Sequence, residues 1–322
     1  MNVLSIIIPM FNEQENIEKC VKALKQQTNQ NFDVIFIDDG SVDCTKEVLK
    51  KYLVDNVEFK YKIIEQKNSG AAEARRTGTK ESETDYILFF DCDDTLSNDM
   101  VDEVYRVYNE NQDIDIIIPN MSIQKKNNKW DKFIFYTKDK VLSSSDCLLA
   151  SIDGWQVHGC FTIRKEIILK SYDDYSEHNK NNENYINNDE IITRLNFSNS
   201  KKIIRCNGVY YYNYNDSSTT KKINSKKYLM INNAIILYDL YSKDPKINSS
   251  VKAELVSSLW ANFRYTYKYK KKLSSFEESI EQISHAIDKI AYLNFFPDIV
   301  IKKKIQLSVL KIVNLFWINN EK

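Results

Sequence analysis

The sequence predicts an α/β fold: a doubly wound, mostly parallel sheet followed by a helical C-terminal region. Three observations predict it. Over residues 1–120, short β-branched runs alternate with segments of helical apolar spacing, the pattern of parallel strands joined by crossover helices. A polar cluster follows nearly every run, at the carboxyl ends of strands where such sheets bind ligands. All six glycines fall at or before Gly208, so the last third reads as helical.

The elements follow in order. Val3-Leu-Ser-Ile-Ile-Ile8 is a nearly continuous apolar run, as in a strand buried on both faces. Pro9 to Asn12 is the expected turn. Glu13 to Gln27 carries Ile17, Cys20, Val21 and Leu24 at helical spacing. Phe32 to Ile37 is a second strand, ending in Asp38-Asp39-Gly40-Ser41, and Ser41 to Tyr52 reads as a capped helix. Phe59 to Ile64 is the third strand, followed by Lys67-Asn68-Ser69-Gly70 and a helix, Ala71 to Lys80, carrying Arg75 and Arg76. The fourth strand begins at Tyr86 and runs into Asp91-Cys-Asp-Asp94; Met100 to Tyr108 is the helix after it. Ile114 to Ile118 is a fifth strand, with Pro119 as its stop.

Beyond Asn120 the pattern is mixed. Trp130 to Tyr136 is strand-like and Ser143 to Ile152 helical. Gly154-Trp-Gln-Val-His-Gly159 spends two scarce glycines on a specially shaped loop. Ser176 to Asn188 reads as a flexible, Asn-rich loop leading to Asp189-Glu190 and a helix over Ile191 to Phe197. Lys202 to Arg205 and Val209 to Tyr214 look like two strands about a turn at Gly208, and Ser217-Ser-Thr-Thr220 closes the region. From Tyr228 the chain is helical, with breaks near Pro245 and Pro297. The expected division is an α/β domain over 1–222, halved at 120/121, and a helical region over 223–322.

Composition narrows the partners. The chain has 322 residues, 43% hydrophobic, with 45 basic and 45 acidic residues, so overall charge argues for no nucleic-acid partner. The distribution is uneven: residues 221–322 hold 18 basic and 9 acidic residues, or +9, leaving −9 (27 minus 36) for the rest. An acidic ligand or membrane surface for the C-terminal part fits that asymmetry, as do ordinary solvated helix faces. The six cysteines form no Cys-x-x-Cys and no zinc spacing, as expected of reduced thiols in the cytoplasm. The short apolar start, ending in Pro9, is not a signal peptide. No apolar run reaches spanning length.

The chemistry centres on Tyr86-Ile-Leu-Phe-Phe-Asp-Cys-Asp-Asp-Thr-Leu96. Alternation along a strand lets Asp91 and Asp93 point the same way. Two hard oxygen donors there suit Mg²⁺ or Mn²⁺ with a bound diphosphate. Capping of the next helix by Asp-Asp-Thr is the plain alternative. No Gly-x-Gly-x-x-Gly follows the first strand and no Walker lysine loop is present, so the expected ligand is a nucleotide held by acids and a metal.

These clusters together resemble the family 2 glycosyltransferases of GT-A fold. The matching stretches are Ser5-Ile-Ile-Ile-Pro-Met-Phe-Asn-Glu13, Ile37-Asp-Asp-Gly-Ser-Val-Asp43, Asn68-Ser-Gly70 with Ala74-Arg75 and Gly78, and Asp91-Cys-Asp-Asp94. Asn188-Asp189, Tyr210-Tyr-Tyr-Asn-Tyr214 and Ser217-Ser218 match more loosely. The resemblance implies an inverting enzyme using a nucleotide-sugar, usually a UDP-sugar. Pro9, Phe11 and Glu13 would border the nucleoside pocket. Asp39 would accept a hydrogen bond from the base, with Asp38 supporting that loop. Asn68 and Gly70 would line the nucleotide site, and Arg75 would help bind the diphosphate or sugar. Asp91 would lie by ribose and metal, and Asp93 would be the main Mn²⁺ or Mg²⁺ ligand. Asp189 would be the general base, with Glu190 the other candidate. The family often has Asn where this chain has Arg76, and Glu-Asp where it reads Asn188-Asp189-Glu190. The acceptor would be a bacterial surface glycan or its lipid-linked precursor, met at the inner face of the cell membrane.

Two other readings compete. Phe90-Asp-Cys-Asp-Asp-Thr-Leu96 also matches the Asp-x-Asp-x-Thr motif of haloacid-dehalogenase-like phosphatases, with Asp91 as nucleophile; that motif normally follows the first strand, and here three strand–helix units precede it. A catalytically silent sugar-nucleotide-binding module is the second. Trp155 could stack on an acceptor sugar and His158 could touch one; a core aromatic and an ordinary loop histidine are the alternatives. The tyrosines at 210, 211, 212 and 214 are read as strand packing rather than a carbohydrate platform. Lys302 to Lys304, among apolar residues at helical spacing, suit either an anionic membrane or a helix packed on the protein.

Overall fold

A computed structural model of the chain describes residues 2–54, 57–215, 223–291 and 299–320. It divides into two compact units. Met1–Ser151, Trp155–Asn182 and Ile192–Asp216 form the first; Ile152–Gly154, Glu183–Ile191 and Ser217–Lys322 form the second. Ser217 to Thr220, the 222/223 boundary and Pro297 lie outside the described residues.

The chain order is β1 (Leu4–Met10), α1 (Ile17–Lys25), β2 (Phe32–Asp38), α2 (Thr45–Val54), β3 (Lys60–Glu65), α3 (Ala71–Glu81), β4 (Tyr86–Phe89), β5 (Thr95–Leu96), α4 (Met100–Glu110), β6 (Ile116–Gln124), β7 (Trp130–Lys132), β8 (Val141–Leu142), α5 (Ser144–Ile152), β9 (Thr162–Arg164), α6 (Lys165–His178), α7 (Asn188–Asn199), β10 (Ile203–Tyr212), α8 (Met230–Tyr241), α9 (Asn248–Tyr269), α10 (Phe276–Ala291) and α11 (Ile301–Asn320).

In the first unit the strands form one sheet of order β3-β2-β1-β4-β9-β6-β10-β5, with β7 on β6 and β8 on β10. β1 to β4, β6 and β10 run in one direction, and the short β5, β7, β8 and β9 run against them. The mostly parallel expectation holds. β1 lies between β2 and β4, and Ile6, Ile7 and Ile8 are fully buried. Each such side chain contributes about 1.5–3 kcal/mol of burial. α1 buries Ile17, Cys20, Val21 and Leu24, the stripe its spacing predicts. α3 packs against β1 at Gly78, where a Cβ would fall 2.4 Å from Ile7 Cγ2.

Several elements differ from expectation. Pro9 lies inside β1 rather than ending it. Alternation turns its nitrogen toward β4, whose pairing with β1 stops at Phe89, so no ladder bond is lost. Ser41 does not open α2; the helix starts at Thr45, whose N–H donates to Asp43 Oδ1 (3.0 Å). β6 runs through Pro119, because the pairing with β9 ends at Ile117 and a register shift in β10 lies opposite. That same bulge carries Gly208, so 203–212 is one strand and not two. Ser176 to His178 end a helix, α6, so the loop before α7 is shorter than expected. Asp-Asp-Thr does not cap a helix: Thr95 begins β5.

The second unit is helical. α8 to α11 share a core that includes Ile231, Leu255, Leu259, Ile283, Ile287, Leu307 and Leu310. Pro245 falls between α8 and α9, as expected. α11 buries Leu307, Leu310 and Asn314, which donates to Asp288 Oδ1 (3.0 Å), and Lys303 Nζ donates to Ser257 Oγ. Its other face leaves Ile301, Ile305, Ile312 and Leu315 exposed. Among the described residues no helix is long and apolar enough to cross a membrane.

Candidate active site

Because β1 to β4 are parallel, their carboxyl ends share one edge of the sheet, and the loops that follow meet there. Asn12 Oδ1 accepts from Val42 N (2.9 Å), Asn12 N donates to Ser41 Oγ (3.0 Å), and Glu13 N donates to Thr45 Oγ1 (2.7 Å). Phe11 stands 43% exposed beside this junction. Asp38 Oδ1 accepts from Ser41 N (2.8 Å), which holds the β2 loop closed. Asp39 is buried and accepts from Gln66 Nε2 (2.7 Å), Ser69 N (2.9 Å) and Gly70 N (2.8 Å). Its carboxylate therefore fixes the β3–α3 loop, on which Asn68 is exposed. Gly40, at φ +80°, lies so close that a Cβ would sit 2.9 Å from Asn68 N. An L side chain there would be strained twice over.

The acidic stretch is a turn, not a continuation of the strand. β4 ends at Phe89, and Asp94 N donates to Asp91 O (3.1 Å). Strand alternation therefore does not place Asp91 and Asp93; long-range contacts do. Arg75 Nη2 donates to both oxygens of Asp91, at 2.7 and 3.0 Å, with its guanidinium 5.8 Å from the Phe89 ring centroid. Asp93 Oδ2 accepts from Asn215 Nδ2 (2.8 Å), and its carbonyl from Asn213 Nδ2 (2.8 Å) and Lys19 Nζ (3.3 Å). Asp94 is buried against β10, accepting from Tyr210 Oη and from Asn213 N, each at 2.8 Å. Burial, then the charges of Asp91 and Asp93, pushes the Asp94 carboxyl up to about 8. Its charge is thus suppressed near neutrality, which limits repulsion within the turn.

Glu13 belongs to the same group. Burial raises its carboxyl to about 7 against the lowering bond from Asn16, and Asp93 and Asp91 raise it further. Glu13 thus lies within electrostatic reach of Asp93 and Asp91. Among the described residues no three His, Cys, Asp or Glu side chains converge as a complete metal cage. The donor set is instead one or two hard carboxylates facing an open edge, which fits Mg²⁺ or Mn²⁺ completed by substrate phosphates.

His158 is buried, with Nε2 2.9 Å from Pro119 O and its ring 5.1 Å from both Phe133 and Phe135. Burial lowers it to about 4. It is a neutral core histidine. Trp155 has φ +56° and lies under the Arg194 guanidinium at 4.7 Å. Asp189 and Glu190 fall in the second unit, in the first turn of α7. Asp189 is exposed and Glu190 half-buried, with Asn187 Nδ2 donating to Glu190 Oε2 (3.4 Å). Asn233 Nδ2 donates to Asn187 Oδ1 (2.8 Å) and Asn188 Oδ1 (3.1 Å), fixing that turn. Sequence reasoning had Tyr210 and Asn213 only within the looser match Tyr210 to Tyr214, without these roles, and missed Asn215. Tyr210 lies in β10 and the two asparagines follow it, on a strand with no acidic motif of its own.

The family model described as glycosyl transferase family 2 matches residues 5–173, more than half of the chain. The chain belongs to this family. A teichoic acid poly(glycerol phosphate) polymerase of Staphylococcus epidermidis is 39% identical over 101 residues, 30% of this chain and 14% of that protein. The chain spans 14% to 55% of the length of eight curated relatives it matches. S. aureus TarS 1-349 in complex with UDP-GlcNAc shares the fold at TM-score 0.61 and 18% identity, over 89% of this chain and 81% of that one. The mannosyltransferase PcManGT from Pyrobaculum calidifontis, in complex with GDP-Man and Mn²⁺, does so at TM-score 0.54 and 13% identity, over 97% and 87%. The GT-A expectation therefore holds.

Proposed function

We propose that this family 2 chain is a metal-dependent inverting glycosyltransferase. It moves a sugar from a UDP-sugar to a hydroxyl of a bacterial surface glycan or its lipid-linked precursor. The observation that carries the reading is the meeting of Glu13, Arg75, Asp91 and Asp93 at the sheet edge that also holds Asp38 and Asp39.

The residues divide the work. Phe11 and Pro9 border the nucleoside. Three of the four acceptor positions on Asp39 are used, which leaves one for the uracil N–H. Asn68 and Gly70 line the same pocket. Arg75 holds Asp91 toward the ribose and presents its guanidinium to the diphosphate. Asp93, with Asp91, would hold Mn²⁺ or Mg²⁺, which supplies Lewis-acid neutralisation of the charge on the departing diphosphate. Asp189 takes the acceptor proton, with Glu190 as the other candidate, in a catalytic domain over 1–222. Support for a membrane-borne acceptor is the exposed Ile301, Ile305, Ile312 and Leu315 stripe beside Lys304 and Lys311, which suits peripheral docking at the inner membrane face.

The phosphatase alternative loses its ground. The chain belongs to a glycosyltransferase family, and Asp91 is held in an ion pair by Arg75 rather than presented as a nucleophile. The deciding experiment measures nucleotide release from a panel of sugar nucleotides with Mn²⁺. Release from a uridine-diphosphate sugar, enhanced by acceptor, is expected. Phosphate release from small phosphomonoesters alone would restore the phosphatase. UDP binding with no turnover of any donor would leave a silent module.

A further inference from the structure

Of the acceptor residues expected from the sequence, His158 is buried and Trp155 is half-buried under the Arg194 guanidinium. A different part of the first unit holds an open hollow. β5, β10, β6 and β7 lie side by side, and their pairing sets Thr95 opposite Tyr211, Tyr211 opposite Ser122, and Trp130 opposite Gln124. Side chains in register, or two residues apart on one strand, share a face. Thr95, Tyr211, Asn213, Ser122 and Trp130 therefore stand on one face. They line an open hollow of about 330 Å³. The opposite face carries Leu96, Tyr210 and Met121, which are buried in the core. A core needs only that second face, so core packing does not account for the aromatics on the first.

The chemistry of the hollow is mixed in a particular way. Trp130 is 43% exposed and meets the Tyr211 ring edge-on, with centroids 5.5 Å apart. The T-shaped contact with Tyr211 fixes the indole, and much of its surface stays exposed to the hollow's opening. Around it stand two hydroxyls, on Ser122 and Thr95, and the Asn213 amide. A flat apolar wall with a few polar groups on its rim is complementary to a pyranose, which has an apolar C–H face and a rim of hydroxyls. The hollow also adjoins the reacting edge: Asn213 Nδ2 donates to both Thr95 Oγ1 (3.2 Å) and Asp93 O (2.8 Å). One side chain thus belongs to the hollow and to the turn that carries the proposed metal ligand.

We propose that this hollow is an acceptor subsite that binds a saccharide unit, with Trp130 as its stacking wall and Ser122, Thr95 and Asn213 as its polar rim. The proposal rests on the glycosyltransferase reading above and names its acceptor class as a glycan rather than a bare lipid or polyol. Trp130 is a binding residue here; it takes no part in bond making.

The test separates binding from turnover. Saturation-transfer NMR on the full chain uses methyl hexopyranosides and methyl N-acetylhexosaminides as probes, without donor. Saturation of at least one glycoside is expected, reduced roughly ten-fold in Trp130→Ala and retained in Trp130→Phe. Unlabelled UDP binding, measured in parallel, should be the same in all three proteins, which shows that the variants are folded. No saturation of any glycoside by the unaltered protein, or equal saturation by Trp130→Ala, would overturn the subsite. So would a Trp130→Ala variant that loses UDP binding instead, since the hollow would then serve the donor. Failure of the glycosyltransferase reading itself shows up separately, as no nucleotide release from any sugar nucleotide while the glycoside signal remains.

Discussion

Tyr210 and Asp94 are 116 residues apart in the chain and joined by a hydrogen bond of 2.8 Å, Tyr210 Oη donating to Asp94 Oδ2. The same phenol oxygen accepts from Asp91 N at 3.3 Å. One side chain from β10 thereby pins the first and last acids of the turn that carries Asp93. Tyr210→Phe keeps the ring and its edge contact with Phe90 but removes both bonds. It should cost about 1–3 kcal/mol of stability, the usual effect of leaving buried partners unmet. Urea unfolding measures that loss, and transfer activity should fall with it. A variant as stable and active as the parent would show that the turn holds itself.

The metal assignment makes a sharper demand. EDTA should abolish transfer, and Mn²⁺ or Mg²⁺ should restore it. Asp93→Asn should lose most activity while its thermal midpoint stays close to the parent's, because the side chain is only half-buried at the sheet edge. Full turnover by Asp93→Asn in EDTA removes the metal from the mechanism.

The proposed base is tested by two isosteric changes. A positioned carboxylate that takes the acceptor proton is worth roughly 10²–10⁴-fold. Asp189→Asn should lose about that much in kcat while UDP binding persists, and Glu190→Gln should keep substantial activity. The opposite ranking assigns the base to Glu190.

His158 predicts a pH dependence of stability. Burial holds its imidazole at about 4, below the ordinary histidine value of 6.5. Between those values the unfolded chain binds a proton that the folded chain does not. Stability is therefore full above the unfolded value and is lost as pH falls toward 4, by about 3 kcal/mol in all. His158→Gln should flatten that slope between pH 7 and pH 4.5 in denaturant titrations. An unchanged slope would assign it to other groups.

The exposed face of α11 predicts membrane behaviour. Each basic side chain near an anionic surface contributes on the order of 1 kcal/mol. Sedimentation with anionic vesicles should weaken as salt rises, and Ile305→Glu with Ile312→Glu should abolish it. No binding at low salt would leave α11 as a packing helix alone.

Much of the catalytic edge is legible in the sequence, for a physical reason. Strand and helix periods are local, so β1 to β4 and their helices can be read from apolar spacing alone. Parallel strands then bring their carboxyl ends to one edge, which places Glu13, Asp38, Asp39, Asn68 and Asp91 near one another without any coordinates. What local spacing cannot encode is which distant strand a segment meets. β6 continues through Pro119 because β10 bulges opposite it, and β10 runs on through Gly208 for the same reason. His158 is neutral because Phe133 and Phe135 enclose it. Asp94 is a buried anchor rather than a third exposed acid because β10 arrives with Tyr210 and Asn213. The acids are written in the sequence. Which of them is buried and which stays at the open edge was decided by strand pairing across more than a hundred residues, where the cost of an unpaired buried polar group selects the partner.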